Sequence, residues 1–318
     1  MNRRTFLAQL SVLSAAVADT ASRFPASRNV KWALSLGLWS HLPPCPFTDI
    51  LDVMKETRFI GMRVTGFDGF LQQYKLTLAQ LHRELSRRGL HIVTISFGGP
   101  LHNPTQRKKV LESARNAMKF LADFGANHLV VFPPGRTSSQ RTPPEVMREI
   151  ATTCNQIGEL AGEMGFTAGL HNHLGEIVQT EEEVDQFMAI TDPKLFGLSP
   201  DTAHLYLAGC NVVSTFERYK HRIRFCDYKD AKWTTPAKDW VEWIGKTLPR
   251  ESPEARFFAS IYDLGDGEVD FPGCHRVLKD VNYRGWICVD LDTVRRGPLT
   301  SYQRCGAYIV RVLQPIYL

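Results

Sequence analysis

Hydrophobic and polar positions follow two alternating patterns from residue 30 onward. Short apolar runs, rich in β-branched and aromatic residues, predict buried strands. Between them lie longer stretches of strong helix formers with apolar residues three and four positions apart, which predict amphipathic helices. The predicted strands are 31–38, 59–65, 91–97, 128–132, 167–173, 196–201, 223–227 and 286–291. The predicted helices include 47–56, 78–88, 106–124, 144–164 and 180–190.

Eight such alternations predict an α/β fold, a single (β/α)8 TIM barrel over residues 30–318. Gly89, Gly125 and Gly165 follow three of the predicted helices, where a left-handed residue ends a helix well. A doubly wound open sheet is the structural alternative. No GxGxxG fingerprint follows the first strand, which disfavours a dinucleotide-binding version of that sheet.

The first eighteen residues have the pattern of an export signal. Arg3 and Arg4 precede a short apolar run that ends in small residues at 16–18. The arginine pair resembles a twin-arginine signal, so we expect a periplasmic or secreted protein, with 19–29 as a linker. The run is too short to span a bilayer, and no membrane anchor is expected. The alternative is a frayed N-terminal helix of a cytoplasmic protein.

The net charge bears on the kind of binding partner, and the cysteines bear on disulfide and zinc sites. The 318 residues carry a formal net charge of +5, which removal of 1–18 would lower by two. This charge is too mild to indicate nucleic acid or an anionic membrane, so a small molecule is the expected partner. The seven cysteines form no CxxC pair and indicate neither a disulfide framework nor a zinc ribbon. The oligomeric state is left open.

The alternation of side chains within the strands predicts which residues face the barrel interior. In 286–291, Ile287, Val289 and Leu291 form an apolar row that faces the helices, so Asp290 points inward. The same rule applies to three other strands. It predicts that four polar residues at or near the C-terminal ends of these strands face the barrel interior: His171, His173, Asp201 and Asp227. The C-terminal end of the barrel is where barrel enzymes have their active sites.

One imidazole and three carboxylates at the same end of the barrel predict a metal site. Carboxylates brought together there repel one another unless a cation or protons neutralise them. Mixed nitrogen and oxygen ligands suit one divalent Mn, Co, Zn or Fe ion. The alternatives are that the aspartates cap helices and that the histidine is a hydrogen-bonded core residue. The predicted ligands are His171, Asp201, Asp227 and Asp290.

Three more inward positions are candidates for the site. Lys229 either polarises a substrate oxygen or forms an ion pair with Asp230 or another acid of the rim. Arg63 either contacts substrate or forms an internal salt bridge. Trp39, near the end of the first predicted strand, either stacks on a sugar or packs in the rim. Glu176 is expected to cap the helix over 180–190.

Several segments carry a resemblance to a known family. They are 171–188 (HNHLGEIVQTEEEVDQFM), 191–198 (TDPKLFGL), 201–204 (DTAH), 222–230, 265–271 (GDGEVDF) and 283–290 (YRGWICVD). Together they resemble the xylose-isomerase-like barrel superfamily of sugar isomerases and epimerases, particularly its inosose-dehydratase-like branch. The resemblance covers essentially all of the chain after residue 18.

The resemblance implies a metal site whose ligands have been rearranged. Metal-binding members usually carry Glu, Asp, His and Glu at the four strand ends, and only Asp201 keeps the common residue here. The imidazole has moved to His171, Asp227 stands at the usual His position, and Asp290 replaces Glu. The resemblance also implies that His173 and His204 lie beside the metal and the substrate.

The same departure bears on the reaction. Family epimerases use two metal-bound glutamates as proton acceptor and donor, and His171 and Asp290 would replace both. Two unlike groups favour elimination or hydration, in which one removes a proton and the other protonates a leaving oxygen. We therefore expect a metal-dependent isomerase, epimerase or lyase that acts on a keto-sugar, 3-oxo-glycoside or keto-cyclitol.

Two hypotheses from other classes are kept beside this one. The first is a non-catalytic sugar-binding or accessory protein with a degenerate metal site. The second is a metal-dependent endonuclease, because some relatives in the superfamily cleave DNA. The mild charge and the export signal argue against nucleic acid.

Overall fold

The computed structural model describes residues 30–137, 140–237 and 248–317. The predicted export signal (1–18) and linker (19–29) lie outside the described residues, so both stay predictions. Within the described ranges, none of the helices combines the length and the apolar character that crossing a membrane requires.

Eight parallel strands form a closed ring. They are β1 (Lys31–Ser35), β2 (Gly61–Val64), β3 (His91–Phe97), β4 (His128–Val131), β5 (Thr167–Leu170), β6 (Gly197–Leu198), β7 (Cys226–Tyr228) and β10 (Trp286–Val289); the short β8 (Asp230–Ala231) and β9 (Ile261–Tyr262) pair antiparallel outside the ring. The order is β6-β5-β4-β3-β2-β1-β10-β7. Leu198 closes the ring, because its amide donates to the Arg222 carbonyl and its carbonyl accepts from the Arg224 amide, both at 2.8 Å. The predicted TIM barrel is confirmed.

Helices surround the ring and connect its strands. They are α1 (Gly37–His41), α2 (Phe47–Thr57), α3 (Phe70–Gln73), α4 (Leu78–Arg88), α5 (Arg107–Asp123), α6 (Pro144–Glu163), α7 (Glu181–Ile190), α8 (Thr202–Leu207), α9 (Val212–Tyr219), α10 (Pro253–Ala259), α11 (Phe271–Asp280), α12 (Pro298–Tyr308) and α13 (Gln314–Tyr317). The five helices predicted from the sequence agree with α2, α4, α5, α6 and α7 to within one residue at each end.

The helix ends follow local rules. Gly89, Gly125 and Gly165 all adopt positive φ (63°, 71° and 75°), as their positions after helices predict. The start of α7 is different from the expectation. Thr180 and Glu183 form a reciprocal capping box there, so the prediction that Glu176 caps this helix is wrong.

Two apolar layers confirm the predicted strand parity. Ile287, Val289 and Leu291 belong to the large core between strands and helices. A second, smaller cluster fills the barrel interior and includes Val130 and Phe225. This cluster fills the middle of the barrel. The polar side chains therefore lie at the C-terminal ends of the strands, beyond the apolar cluster.

The strands end earlier than their apolar runs suggest. β1 stops at Ser35 and the chain turns into α1, so Trp39 lies on a helix and its predicted place on the first strand is wrong. Its ring stacks on Tyr302 with centroids 5.8 Å apart. β5 stops at Leu170, the last residue paired with β4 through Val131, so His173 lies in a loop. A strand ends where the neighbouring strands stop pairing with it. The apolar periodicity of one segment does not contain this information, so it cannot predict the length of the strand.

Candidate active site

Four strand ends deliver the predicted polar residues to one place. His171 directly follows β5, Asp201 lies beyond β6, Asp227 is on β7 and Asp290 directly follows β10. All four are buried, and none is more than 3 % exposed. The C-terminal mouth of the barrel therefore holds a closed cluster of ionisable groups.

Asp201 has two roles because its two oxygens face different partners. Oδ1 accepts from the His204 amide at 3.0 Å and caps α8, as the helix-cap alternative expected. Oδ2 faces the cluster, 3.8 Å from His171 Nε2. The Asn172 side chain fixes this turn, since it accepts from the Asp201 amide (3.0 Å) and donates to the Asp201 carbonyl (3.2 Å).

His171 is oriented by a carboxylate. Its Nδ1 lies 3.0 Å from Asp227 Oδ2, so the neutral ring carries its proton on Nδ1 and directs the Nε2 lone pair toward Asp201. Burial, together with the nearby cations, holds the pKa of His171 well below its usual value. Phe132 stacks on the ring at 4.1 Å between centroids.

Two further imidazoles lie beside it in opposite tautomers. His173 Nδ1 donates to the Leu174 carbonyl at 2.8 Å, which leaves its Nε2 lone pair free. His204 Nδ1 accepts from the Leu174 amide at 3.2 Å, so this ring carries its proton on Nε2. Their ring centroids are 3.7 Å apart. Burial lowers the pKa of both, although the His173 side chain is 31 % exposed and less enclosed than that of His204.

Arg63 forms the internal salt bridge that the sequence left as an alternative. Its guanidinium lies 2.7 Å from Asp290 Oδ2 and 3.3 Å from Asp227 Oδ2, and it donates to Ser35 Oγ at 3.0 Å. Only 2 % of the residue is exposed. The internal salt bridge is therefore the role that this geometry supports for Arg63.

Lys229 is the second buried cation of the mouth. Its ammonium lies 2.8 Å from Asp290, 2.7 Å from Asp292 and 3.2 Å from Asp201. Burial opposes the charge, but the three carboxylates outweigh burial and raise the pKa of Lys229 well above its ordinary value. Lys229 is therefore an ammonium ion paired with acids of the rim.

Asp230 turns away from Lys229, so the alternative pair between these neighbours does not form. Its carboxylate lies outside the mouth and organises the loop that follows β9. It accepts hydrogen bonds from four backbone amides at 2.8–3.2 Å: those of Ala231, Gly265, Gly267 and Val269. This cradle gives a structural reason for the GDGEVDF segment, because a Cβ on Gly267 would lie 2.3 Å from Asp230 Oδ1.

The carboxyl groups of the mouth differ in proton affinity. Burial raises the pKa of Asp201 and of Asp227 to about 7 in each case, against the opposing effect of the nearby cations. Burial acts in the same direction on Asp290, but Arg63 and Lys229 outweigh it and hold the pKa of Asp290 below its usual range. Asp290 is thus ionised, and it anchors both cations.

The donor set fits a divalent cation. Four carboxyl groups face two side-chain cations, which leaves an excess of negative charge. Within the described ranges, Asp227 Oδ1 and Asp290 Oδ1 are buried without a hydrogen-bond partner, and buried Asp201 Oδ2 has only the ionic contact with the Lys229 ammonium at 3.2 Å. Ligand atoms of three residues lie within 4.8 Å of one another: His171, Asp201 and His204.

This group overlaps only partly with the predicted ligands. His171 and Asp201 are brought together as expected; His204 lies beside them, but in the tautomer with its proton on Nε2 and the Leu174 amide at Nδ1 it has no free lone pair for a metal. Asp227 is instead engaged by His171 and Arg63, and Asp290 by Arg63 and Lys229. The four-residue ligand set stays a prediction.

Three residues of the mouth were missed by sequence reasoning. Asp292 lies two positions after Asp290 and therefore on the same face, a signal that the pattern VDLD carried. Phe132 ends a predicted strand with the inward parity of Val130. Phe257, whose ring is stacked on that of His204 at 5.2 Å, has no such signal because it comes from α10, outside the barrel strands.

Comparison with known proteins assigns the class. Residues 51–304 match the family described as xylose isomerase-like TIM barrel. This match covers most of the sequence, and the chain belongs to that family. The sequence resemblance is thereby confirmed.

Individual relatives make the similarity more specific. An inosose dehydratase of Clostridium botulinum (strain Alaska E43 / Type E3) is 29 % identical over 262 residues, which are 77 % of this chain and 85 % of the relative. The solved structure of the IOLI protein with a binding zinc atom has a TM-score of 0.69 at 14 % identity and covers 91 % of this chain and 99 % of its own. The structure of L-ribulose 3-epimerase has a TM-score of 0.66 at 13 % identity, with 90 % and 95 % covered. The two solved structures show that this chain shares their fold, and the dehydratase relatives support a sugar-modifying enzyme.

Proposed function

We propose that this protein transfers a proton next to the carbonyl of a polyhydroxy ketone, such as a keto-sugar, a 3-oxo-glycoside or a keto-cyclitol. The observation that carries the proposal is the group of three neutral imidazoles beside the Lys229 ammonium at the barrel mouth. Neutral imidazole with a free lone pair is a proton acceptor, and an ammonium is a proton donor or a partner for a developing oxyanion.

The structure favours a division of labour between His171 and His173. Nε2 of His171 has one lone pair, so it cannot hold a metal and remove a proton at the same time. Its ring is 1 % exposed, whereas that of His173 is 31 % exposed, with a free lone pair on Nε2. We assign proton removal to His173 and metal binding to His171, which was predicted for both roles.

Lys229 and Asp290 complete the proposed chemistry. His173 takes the proton from the carbon next to the carbonyl, and the electron pair forms an enolate. For elimination, the β-hydroxyl leaves as water with the proton that His173 has taken, while the Lys229 ammonium stabilises the enolate oxygen, and an unsaturated ketone remains. For isomerisation or epimerisation, a proton returns to carbon instead. Asp290, predicted as the second proton carrier, holds the ammonium in place at 2.8 Å.

Other side chains are proposed to bind the sugar. His204 Nε2–H can donate to a substrate oxygen, and Phe132 and Phe257 offer apolar surface beside the imidazoles. Arg63 and Trp39 are weaker candidates for this role than the sequence indicated. The guanidinium is enclosed by its carboxylates, and the indole is stacked on Tyr302.

One divalent metal, Mn, Co, Zn or Fe, belongs to the proposal. His171 and Asp201 would hold it, with His204 next to them, and it would polarise the substrate carbonyl when bound. The excess of carboxylates in the mouth supports this assignment, as does the zinc atom of the IOLI protein. Metal content per chain, measured by mass spectrometry, tests the assignment and identifies the element.

Elimination and epimerisation are distinguished by their products. The name of the inosose dehydratase relative supports loss of water, and that of L-ribulose 3-epimerase supports return of the proton. The decisive measurement is incubation of a panel of keto-sugars and inososes in D2O, followed by mass spectrometry. Deuterium in recovered substrate or epimer indicates proton return, and a mass loss of water indicates elimination.

Matched variants test the roles. His173→Gln should abolish deuterium exchange and leave the metal content unchanged. His171→Gln should lose the metal. Full exchange by His173→Gln would show that another group removes the proton.

A sugar-binding protein without catalysis is the second candidate. The observation that favours this candidate is the presence of Arg63 and Lys229 in the barrel mouth. These two cations neutralise part of the negative charge of the carboxylates without a metal. Tight binding of sugars without any deuterium exchange would support this reading and overturn the enzymatic one.

We propose export to the periplasm or secretion on the basis of Arg3 and Arg4. The test is fractionation of cells that express the full chain or the double change Arg3→Lys and Arg4→Lys. Retention of the double variant inside the cell supports the proposal. Equal distribution of both proteins contradicts it.

A further inference from the structure

Lys229 and a divalent metal would depend on the same carboxylate oxygen. The ammonium lies 3.2 Å from Asp201 Oδ2, the oxygen that faces His171 Nε2 at 3.8 Å. Two cations at one buried oxygen repel each other strongly, because the local dielectric constant is low. A metal held by His171 and Asp201 therefore has a competitor within the chain.

The Lys229 ammonium also has two ion-pair partners other than Asp201. Its two shorter contacts, to Asp290 at 2.8 Å and to Asp292 at 2.7 Å, do not involve Asp201. His204 Nε2, 3.2 Å from the ammonium, carries a proton and gives it no acceptor. A small shift of Lys229 toward Asp290 and Asp292 would free the Asp201 oxygen.

We propose that Lys229 is a resident cation that competes with the metal for Asp201 and that Asp292 sets the outcome of this competition. This inference rests on the proposed metal site and adds the control of its affinity. Removal of the ammonium should strengthen metal binding. Removal of the Asp292 charge should weaken it, because the ammonium then depends more on Asp201.

The test is isothermal titration calorimetry with Mn²⁺ on the full chain after treatment with a chelator. Lys229→Met should bind Mn²⁺ about tenfold more tightly or better, the effect expected when a like charge leaves a partly shielded site. Asp292→Asn should bind more weakly than the unchanged chain. Lys232→Met is the matched control, since this lysine is exposed three residues away, and its affinity should be unchanged.

Further variants separate the possible failures. His171→Gln should lose the Mn²⁺ signal, and a signal that persists there shows adventitious binding and overturns the inference. If Lys229→Met does not fold, Lys229→Met combined with Asp292→Asn removes one charge of each sign and should still bind more tightly than the unchanged chain. Equal or weaker binding by the lysine variants, or no binding by any protein, overturns the inference. No sugar is present, so failure of the proposed reaction leaves this result unaffected.

Discussion

His171 Nδ1 lies 3.0 Å from Asp227 Oδ2, although 56 residues separate the two in sequence. This hydrogen bond fixes the tautomer of the imidazole and aims its lone pair at Asp201. If His171 binds a metal as proposed, Asp227 would orient that ligand, an arrangement common around metal-bound histidines, while its own predicted role as a ligand stays a prediction.

Asp227→Asn should weaken Mn²⁺ binding by about 10- to 100-fold, because an amide holds the required tautomer less firmly. Calorimetric titration measures the change. A thermal melt of the same variant shows whether the fold is kept. Unchanged affinity in a folded variant would mean that Asp227 does not orient His171.

Arg63→Met should destabilise the protein by about 3–5 kcal/mol, because it leaves Asp227 and Asp290 buried without their guanidinium partner. Urea unfolding measures the free energy. Arg87→Met is the control: the Arg87 side chain is 66 % exposed, so loss of its pair with Glu84 should leave the stability nearly unchanged. A loss equal to that of the control would show that the carboxyl groups are protonated and need no cation.

The stability should depend on pH through Glu176. Burial raises the pKa of this carboxyl from 4.5 to about 8, and its Oε2 has no hydrogen-bond partner within the described ranges. A carboxyl whose pKa is higher in the folded state binds its proton there more tightly than in the unfolded state. The resulting stability is complete below about pH 4.5 and is lost as the pH rises through about 8.

Glu176→Gln removes this ionisation, so its free energy of unfolding should fall less than that of the unchanged chain between pH 6 and pH 9, by roughly 1 kcal/mol or more. Urea midpoints at the two pH values measure the difference. Glu182→Gln, on the exposed face of α7, is the control and should follow the unchanged chain. Parallel curves for all three proteins would contradict the prediction.

Glu183→Ala should cost about 3 kcal/mol or more. The fully buried carboxylate accepts from Arg136 at 2.6 Å and from the amides of Thr142, Gln179 and Thr180 at 3.0–3.1 Å, all of which would lose their partner. Urea unfolding against the exposed Glu182→Ala, expected within about 0.5 kcal/mol of the unchanged chain, tests this. A similar effect of both changes would show that water replaces the lost carboxylate.

The sequence determined the elements of the fold and the faces of the strands. Apolar periodicity located the strands and the long helices because only one face of each element is buried. Apolar residues therefore recur with the period of the strand or the helix. The row Ile287, Val289 and Leu291 put Asp290 inside the barrel, and the same logic placed Asp201 and Asp227. The choice of barrel end followed from chain direction alone.

The tertiary structure decided which of these groups pair. Arg63, Lys229 and Asp292 come from separate strand ends, and their distances depend on ring closure and strand length, which no single run of residues encodes. The ends of β1 and β5 were set by neighbouring strands, and this moved Trp39 onto a helix and His173 into a loop. The hydrophobic pattern of a strand predicts whether each side chain faces the barrel interior or the helices. Which charged side chains form ion pairs depends on distances that exist only in the assembled barrel.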